Sequence, residues 1–289
     1  MNDGFRYLPA ALAERLDGLA LALRRPLPGG QQGLHRSRHH GSSVEFADYR
    51  AYAPGDPPNR IDWAVYARSD RYLIRRTEDE TRLRAHLLLD VSESMAYAAK
   101  LPTACTLAAA LAYVLVRQGD AAELHPFADA PQAGPPSAGS YISLPPLLLA
   151  LDALRATGPG DAAKAMHAFA DQPRARGLVI VLSDLLRPAV EVASACAHLH
   201  QAGHQIALVQ ILDRAELDPP FTGVVEVAEL ETGRRAVVEI DGMREEYASA
   251  VRAHLDELAR GASAVNGSHH LVECGADIER AVRQIVERL

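Results

Sequence analysis

The sequence predicts an α/β protein in which a mostly parallel β-sheet carries helices on both faces. The main observation is an alternation, from Ala85 onward, of short apolar runs with helical patterns, which is typical of a parallel sheet covered by helices. The second observation is size: 289 residues, 48% of them hydrophobic and 23% charged, suffice for a large packed core. A folded domain with an attached N-terminal segment is therefore expected.

The first 84 residues are predicted to be a region separate from the α/β domain of residues 85–289. Leucines spaced three to four residues apart predict an amphipathic helix over residues 8–23. The chain then becomes irregular and β-leaning, with strand-like runs at residues 44–52, 65–66 and 72–74 between glycine, proline and charged residues.

Within the α/β domain, five strands and six helices are expected. The predicted strands cover residues 86–90, 122–127, 178–183, 205–211 and 269–272. The predicted helices cover residues 101–118, 147–156, 162–170, 190–201, 244–259 and 276–288. Two strand-like runs around residues 231–234 predict a β-hairpin insertion over residues 224–240, and the Pro/Gly-rich stretch 130–139 is predicted to be a loop.

Charge and cysteine content exclude several classes of protein. A net charge of −7 argues against a broad surface for nucleic acid. Three widely spaced cysteines, Cys105, Cys196 and Cys274, suggest no disulfide framework and fit a reducing compartment. No run of about 18 apolar residues is seen. We therefore expect a cytoplasmic protein without membrane insertion.

The strongest chemical signal follows the first predicted strand, where Asp90, Ser92 and Ser94 form a D-x-S-x-S run. The predicted strand 178–183 also ends beside a carboxylate, that of Asp184. Ligands bind at the carboxyl ends of strands in such sheets, and carboxylate and hydroxyl oxygens suit a hard cation such as Mg²⁺. An alternative remains open, in which the two serines cap a helix and Asp90 merely ends a strand.

These motifs resemble the metal-ion-dependent adhesion site of von Willebrand factor A domains, which have a Rossmann-like fold. The resemblance implies Mg²⁺ or Mn²⁺ held by Asp90, Ser92, Ser94 and Asp184, with one position open for an acidic residue of a partner protein. The family also supplies a threonine from a later loop, and here the run 157–161 has Gly160 where that threonine is expected. Asp161 or Thr157 is the candidate substitute.

A second cluster of distinctive residues lies before the sheet. Pro54-Gly55 suits a type II turn, and alternating charges surround the single tryptophan. The cluster is either a structural latch or a contact surface; its members are Arg50, Gly55, Asp56, Arg60, Asp62, Trp63 and Arg68.

This segment, followed by the D-x-S-x-S strand, resembles the bacterial domain of unknown function 58 (DUF 58) family, and the resemblance covers nearly the whole chain. It implies a von Willebrand factor A-like protein that works with a MoxR-type AAA+ ATPase. We therefore expect a metal-dependent protein-interaction module and adaptor rather than an enzyme. Two alternatives stay open: a metal-dependent hydrolase or phosphotransferase that uses the same carboxylates, and a structural subunit with a vestigial site.

Overall fold

A computed structural model describes residues 4–19, 49–52, 61–75, 83–129, 144–228 and 234–289. The chain divides into two compact units, Met1–Gln31 with Arg84–Leu289, and Gln32–Leu83. The predicted loop 130–139, most of the predicted turn 231–234, and Gly55, Asp56 and Arg60 lie outside the described residues.

The N-terminal part of the larger unit is a short antiparallel pair, β1 (Gly4–Phe5) and β2 (Leu8–Pro9), followed by helix α1 (Ala10–Leu16). In the smaller unit, β3 (Tyr49–Ala51) pairs antiparallel with β4 (Leu73–Arg75), and helix α2 (Trp63–Ser69) lies between them in sequence.

The α/β part begins with β5 (Arg84–Asp90) and a 3₁₀ helix (Glu93–Ala96). Its remaining elements follow in order: α3 (Lys100–Arg117), β6 (Ala121–Phe127), α4 (Leu144–Ala153), α5 (Ala162–Ala170), β7 (Leu178–Ser183), α6 (Ala189–Gln201), β8 (Gln205–Leu212), α7 (Arg214–Leu217), β9 (Val224–Ala228), β10 (Arg235–Glu239), α8 (Ile240–Ala264), β11 (Ser268–Glu273) and α9 (Ile278–Arg288). The antiparallel pair β9–β10 is the predicted hairpin.

The central sheet has the strand order β11–β8–β7–β5–β6, and every neighbouring pair is parallel. The predicted α/β class is therefore confirmed. The chain moves first from β5 to the edge strand β6 and then back past β5 to β7. This reversal creates a crevice at the carboxyl ends of β5 and β7, which is where open α/β sheets bind ligands.

Helices cover both faces of the sheet. Leu88, Val181 and Leu208 belong to a buried cluster with side chains of α5, α6 and α8. Neighbouring residues such as Leu87 point to the opposite face, since side chains alternate along a strand, and α3 packs there against four of the strands. All six residues of β7 are buried, as expected for a central strand covered on both faces.

Helix α1 belongs to the larger unit, although the sequence suggested a boundary at residue 84. The hydroxyl of Tyr113, on α3, donates to Asp17 Oδ1 at 2.5 Å, and Arg117 forms an ion pair with the same carboxylate. Arg15 joins α1 to the start of α9 through Asp277 and Glu279, at 2.6 and 2.8 Å. These contacts tie the N-terminus to two helices of the α/β part.

The smaller unit contains a helix where a strand-like run was predicted. Val65 and Tyr66 lie in α2, so the strand prediction for residues 65–66 is wrong. The physical reason is the N-cap: Asp62 Oδ1 accepts from the backbone N–H groups of Ala64 and Val65, at 3.0 and 3.1 Å. These bonds satisfy donors that an uncapped helix leaves open, and they outweigh the β propensity of valine and tyrosine.

Candidate functional site

A cavity of about 510 Å³ opens at the carboxyl ends of β5 and β7. We call it the crevice. It is lined by both predicted motifs and by residues from α3, α7, the hairpin and α8, namely Asp90, Ser92, Ser94, Tyr97, Lys100, Gly160, Ala162, Ser183, Asp184, Leu185, Leu186, Arg187, Glu216, Val227, Ala228 and Tyr247. The four residues assigned to a metal site, Asp90, Ser92, Ser94 and Asp184, therefore lie around one space.

The D-x-S-x-S turn is ordered by its own hydrogen bonds. Asp90 ends β5 with its carboxylate buried; Oδ1 accepts from the backbone N–H of Ser92 at 2.9 Å, and Oδ2 accepts from the hydroxyl of Ser183 at 2.6 Å. The hydroxyl oxygens of Ser92 and Ser94 are 3.1 Å apart. The turn thus presents one carboxylate and two hydroxyls to the crevice.

Burial, together with the nearby negative charge of Asp184, raises the pKa of Asp90 to about 6, although the hydrogen bonds from Ser183 and Ser92 lower it. A buried carboxylate with a raised pKa gains stability from any cation that binds beside it.

Asp184, which follows β7, is ion-paired with a lysine that sequence reasoning did not assign to the site. Lys100 is 1% exposed, and its ammonium donates to Asp184 Oδ2 at 2.9 Å and to Glu216 Oε1 at 2.8 Å. Burial would lower the pKa of Lys100, but the two carboxylates outweigh this effect and hold the pKa above its ordinary value.

The sequence gives only weak indications that Lys100 and Glu216 belong to the site. Lys100 is one of just two lysines, and it begins α3, where the positive end of the helix disfavours an ammonium. Glu216 belongs to a capping box in which its side chain accepts from Asp213 N at 2.8 Å. The capping box can be recognised in the sequence as D-x-x-E. The ion pair between Glu216 and Lys100, however, depends on the tertiary structure.

The loop 157–161 is held against the D-x-S-x-S turn by its backbone. Thr157 N donates to Val91 O, and Glu93 N donates to Gly158 O, both at 2.8 Å. A Cβ atom at Gly160 would lie only 2.2 Å from Ser92 Cβ. The position expected to supply a threonine therefore has no room for any side chain.

Asp161 has another role in this structure. Its Oδ1 caps α5 by accepting from Lys164 N at 2.9 Å, and its Oδ2 lies 3.4 Å from Arg187. We therefore leave Asp161 out of the ligand set proposed below. Thr157 is not among the crevice residues either.

The geometry and charge of the crevice fit a divalent cation. Octahedral Mg²⁺ with bonds near 2.1 Å places adjacent oxygen ligands about 3.0 Å apart, close to the 3.1 Å between the two serine hydroxyls. The crevice lining carries three carboxylates, of Asp90, Asp184 and Glu216, and two cationic side chains, of Lys100 and Arg187, which leave a net charge of −1. Asp90, Ser92 and Ser94 therefore remain the candidate ligands, whereas Asp184 Oδ2 already accepts from the Lys100 ammonium.

The rim of the crevice is apolar and exposed. It carries Tyr97, Leu186, Val227 and Tyr247, which are 36%, 55%, 43% and 39% exposed. The hydroxyl of Tyr247 donates to Glu216 O at 2.5 Å, which holds α8 beside α7. Aromatic and aliphatic side chains around a polar centre are typical of a protein-binding surface.

In the smaller unit, the structure describes the side chains of three of the signature residues, Asp62, Trp63 and Arg68, and the predicted charge cluster stays a prediction. Asp62 caps α2, and Arg68 Nε donates to the Ala64 carbonyl at 3.2 Å. Trp63 is 58% exposed and meets Tyr66 edge-on, with ring centroids 6.1 Å apart. The side chain of Arg50, in β3, lies outside the described residues.

The fold and the crevice define an α/β protein with a parallel central sheet, and its fold is similar to that of solved von Willebrand factor A domains. Similar solved structures include the hypothetical protein BatB from Bacteroides thetaiotaomicron (17% identity, TM-score 0.45, covering 71% of this chain and 98% of that one). The SpRpn10 VWA domain is also similar (15% identity, TM-score 0.39, covering 72% and 95%).

The chain belongs to the DUF58 family, described as "Protein of unknown function DUF58", whose model matches residues 48–257. An uncharacterized protein of Mycobacterium tuberculosis is 28% identical over 261 residues, which cover 86% of this chain and 80% of that protein. The predicted family is therefore confirmed, and neither the family description nor this relative assigns an enzymatic activity.

The prediction of a cytoplasmic protein needs correction. Similar solved structures include an aerotolerance-related membrane protein from Bacteroides fragilis (16% identity, TM-score 0.47, covering 72% of this chain and 100% of that one) and a membrane spanning protein from Vibrio fischeri. These descriptions contradict the cytoplasmic assignment, and we withdraw it. Among the described residues, only helix α3 has the length and apolar composition of a membrane span, and 83% of that stretch is buried inside the protein.

Proposed function

We propose that this protein is an interaction module whose crevice binds Mg²⁺ or Mn²⁺, and that the metal accepts an acidic side chain of a partner protein. The observation that carries the proposal is the buried Asp90 carboxylate beside the paired hydroxyls of Ser92 and Ser94, in a crevice with a net charge of −1. When bound, the cation supplies a Lewis-acid position that a partner carboxylate can complete.

Each polar residue has a distinct part in this proposal. Asp90 supplies the ligand charge, and Ser183 and the backbone of Ser92 orient its carboxylate. Ser92 and Ser94 supply neutral oxygens, so the bound ion keeps positive charge for the partner. Lys100 holds Asp184 and Glu216 and thereby limits the negative charge that an approaching carboxylate meets.

The exposed rim supports a protein as the ligand. Tyr97, Leu186, Val227 and Tyr247 offer apolar surface around the charged centre, as expected when a partner buries its acidic residue within a dry contact. The family resemblance supports a MoxR-type AAA+ ATPase as the partner. The protein would then act as an adaptor for that ATPase.

The metal is tested by calorimetric titration of metal-stripped protein with Mg²⁺ and Mn²⁺. We expect saturable binding that is lost in Asp90→Asn. The matched control is Asp120→Asn, because Asp120 is also a buried carboxylate but lies before β6, away from the crevice. Binding that survives in Asp90→Asn, or its absence in the unmodified protein, would overturn the metal part of the proposal.

The partner is tested with a purified MoxR-type ATPase and the full chain in a binding assay. We expect association in Mg²⁺ that is lost in EDTA and in Asp90→Asn. Leu186→Ser removes rim surface without touching the proposed ligands, so it should weaken association and leave metal binding intact. Equal association in Mg²⁺ and EDTA would show that the metal is not involved.

A further inference from the structure

A second cluster of metal-ligating side chains lies on the same strand as Asp90, away from the crevice. His86 on β5 and Glu123 on β6 are direct cross-strand partners, and His125 lies two residues further along β6 on the same face. We call these three residues the histidine cluster. His86 precedes Asp90 by four residues, or about 13 Å of strand.

Three ligand atoms in this cluster converge on one point. His86 Nδ1 lies 3.3 Å from His125 Nε2 and 3.2 Å from Glu123 Oε2, and the last two atoms are 3.5 Å apart. Tetrahedral Zn²⁺ with bonds near 2.0–2.1 Å separates its ligands by about 3.3–3.4 Å. The three atoms therefore match one face of a zinc tetrahedron.

The hydrogen bond on the far side of His86 fixes which nitrogen faces the cluster. His86 Nε2 lies 3.2 Å from the carbonyl oxygen of Ala175, which can only accept, so Nε2 carries the proton. Nδ1 of neutral His86 then turns a lone pair toward the Glu123 carboxylate. A cation between the two atoms resolves that repulsion, and a carbonyl behind a metal-binding imidazole is the usual arrangement.

The surroundings suit a small bound ion. The ring of Phe169, on α5, covers the cluster, with centroids 5.2 Å from His86 and 5.1 Å from His125. Arg84 Nη1 approaches the other oxygen of Glu123, Oε1, at 3.9 Å and leaves Oε2 to the cluster. His86 is buried, while the side chains of Glu123 and His125 are 16% and 12% exposed. Water can therefore reach a fourth position from the side of β6.

We propose that His86, Glu123 and His125 bind one Zn²⁺ that joins the edge strand β6 to β5, with water as the fourth ligand. Nitrogen-rich ligand sets favour Zn²⁺ over Mg²⁺, so this site differs in metal preference from the crevice. The zinc stabilises the edge of the sheet, and the site does not depend on the function proposed for the crevice.

The test is titration of metal-stripped full-length protein with Zn²⁺, with Co²⁺ as a spectroscopic probe. It uses Asp90→Asn protein, so that the crevice cannot contribute. We expect one Zn²⁺ per chain, a visible spectrum of tetrahedral Co²⁺, and an upward shift in Tm on adding Zn²⁺. Glu123→Gln and His125→Gln, both at partly exposed positions, should each weaken binding at least about tenfold.

The matched control is His198→Gln. His198 belongs to another close histidine pair, with its Nδ1 3.0 Å from His167 Nδ1. Zinc binding should be unchanged in this variant. The proposal is overturned if the Asp90→Asn protein binds no zinc, if both cluster variants bind it normally, or if His198→Gln abolishes binding. A protonated His86 in place of a metal would give the first of these results.

Discussion

Strand β5 carries two polar clusters on one face, and they differ in the atoms that they present. At its carboxyl end, Asp90 joins serine hydroxyls in the crevice, so the donors are oxygens. Four residues earlier, His86 joins His125 and Glu123, so two of the three donors are nitrogens. Hard cations prefer the first set, and zinc prefers the second.

The clusters also differ in how they balance charge. The crevice contains its own cation, Lys100, placed between Asp184 and Glu216. At the histidine cluster, Arg84 lies 3.9 Å from Glu123, and its side chain is 43% exposed. The crevice therefore balances part of its charge with an internal ammonium, whereas in the histidine cluster we propose that a bound Zn²⁺ has this role.

The largest expected effect is that separate substitutions remove or weaken the binding of Mg²⁺ and of Zn²⁺. Asp90→Asn should abolish Mg²⁺ binding and leave Zn²⁺ binding intact, because it removes the only carboxylate that the proposed Mg²⁺ site uses. Glu123→Gln should weaken Zn²⁺ binding at least about tenfold and leave Mg²⁺ binding intact. Titration of both variants with both metals checks this, and loss of both metals in either variant would show that the clusters are coupled.

The two clusters also differ in how well they can be predicted from the sequence. Asp90, Ser92 and Ser94 lie within five consecutive residues that directly follow an apolar run, so their type and order already predict an oxygen site. The histidine cluster joins residues up to 39 positions apart, and only the register of β5 with β6 brings them together. Lys100 and Glu216 were missed for the same reason.

The same contrast holds for the fold. The strand 178–183 and the helix 162–170 were predicted with the bounds observed, because strand burial and helical periodicity are local signals. Helix α2 was missed because its Asp62 cap competes with β-forming residues, and α1 was separated from the α/β unit because its partners on α3 and α9 are distant in sequence.

The next largest effect concerns the internal cation of the crevice. Lys100→Met leaves Asp184 and Glu216 without their cation and should lower the free energy of unfolding by roughly 3–5 kcal/mol. The control is Lys164→Met, because Lys164 pairs with Asp129 at the surface and should cost less than about 1 kcal/mol. Chemical denaturation measures both.

The Lys100→Met variant also tests how the ammonium of Lys100 affects Mg²⁺ binding. Removing the ammonium changes the net charge of the crevice from −1 to −2, so Mg²⁺ should bind Lys100→Met more tightly than the unmodified protein. Weaker Mg²⁺ binding in folded Lys100→Met would instead mean that Lys100 positions the ligands and does not compete with the metal.

A smaller effect follows from the raised pKa of Asp90. Its pKa rises from 3.8 to about 6 on folding, so its ionisation destabilises the folded protein above pH 6, and this cost disappears as pH falls toward 3.8. Metal-free Asp90→Asn should therefore be more stable than the unmodified protein by about 2–3 kcal/mol at pH 7. At pH 4 the two proteins should be nearly equal. Denaturation in EDTA at both pH values measures the difference, and equal stability at pH 7 would contradict it.

The smallest effect tests why the crevice has glycine where a threonine was expected. Gly160→Ala places a methyl group against Ser92 and should destabilise the protein by about 1–3 kcal/mol while weakening Mg²⁺ binding. Gly242→Ala is the control, since a methyl group there meets nothing within 4 Å and should stabilise helix α8 by up to about 1 kcal/mol.

Gly160→Thr should fail to strengthen Mg²⁺ binding, because the side chain would displace Ser92 before its hydroxyl could reach a metal. Tighter Mg²⁺ binding by Gly160→Thr would mean that the loop 157–161 can move away from Ser92. It would also mean that glycine at position 160 deprives the site of a threonine ligand. The expected loss instead means that the close backbone approach at Gly160 is what holds Ser92 beside Asp90.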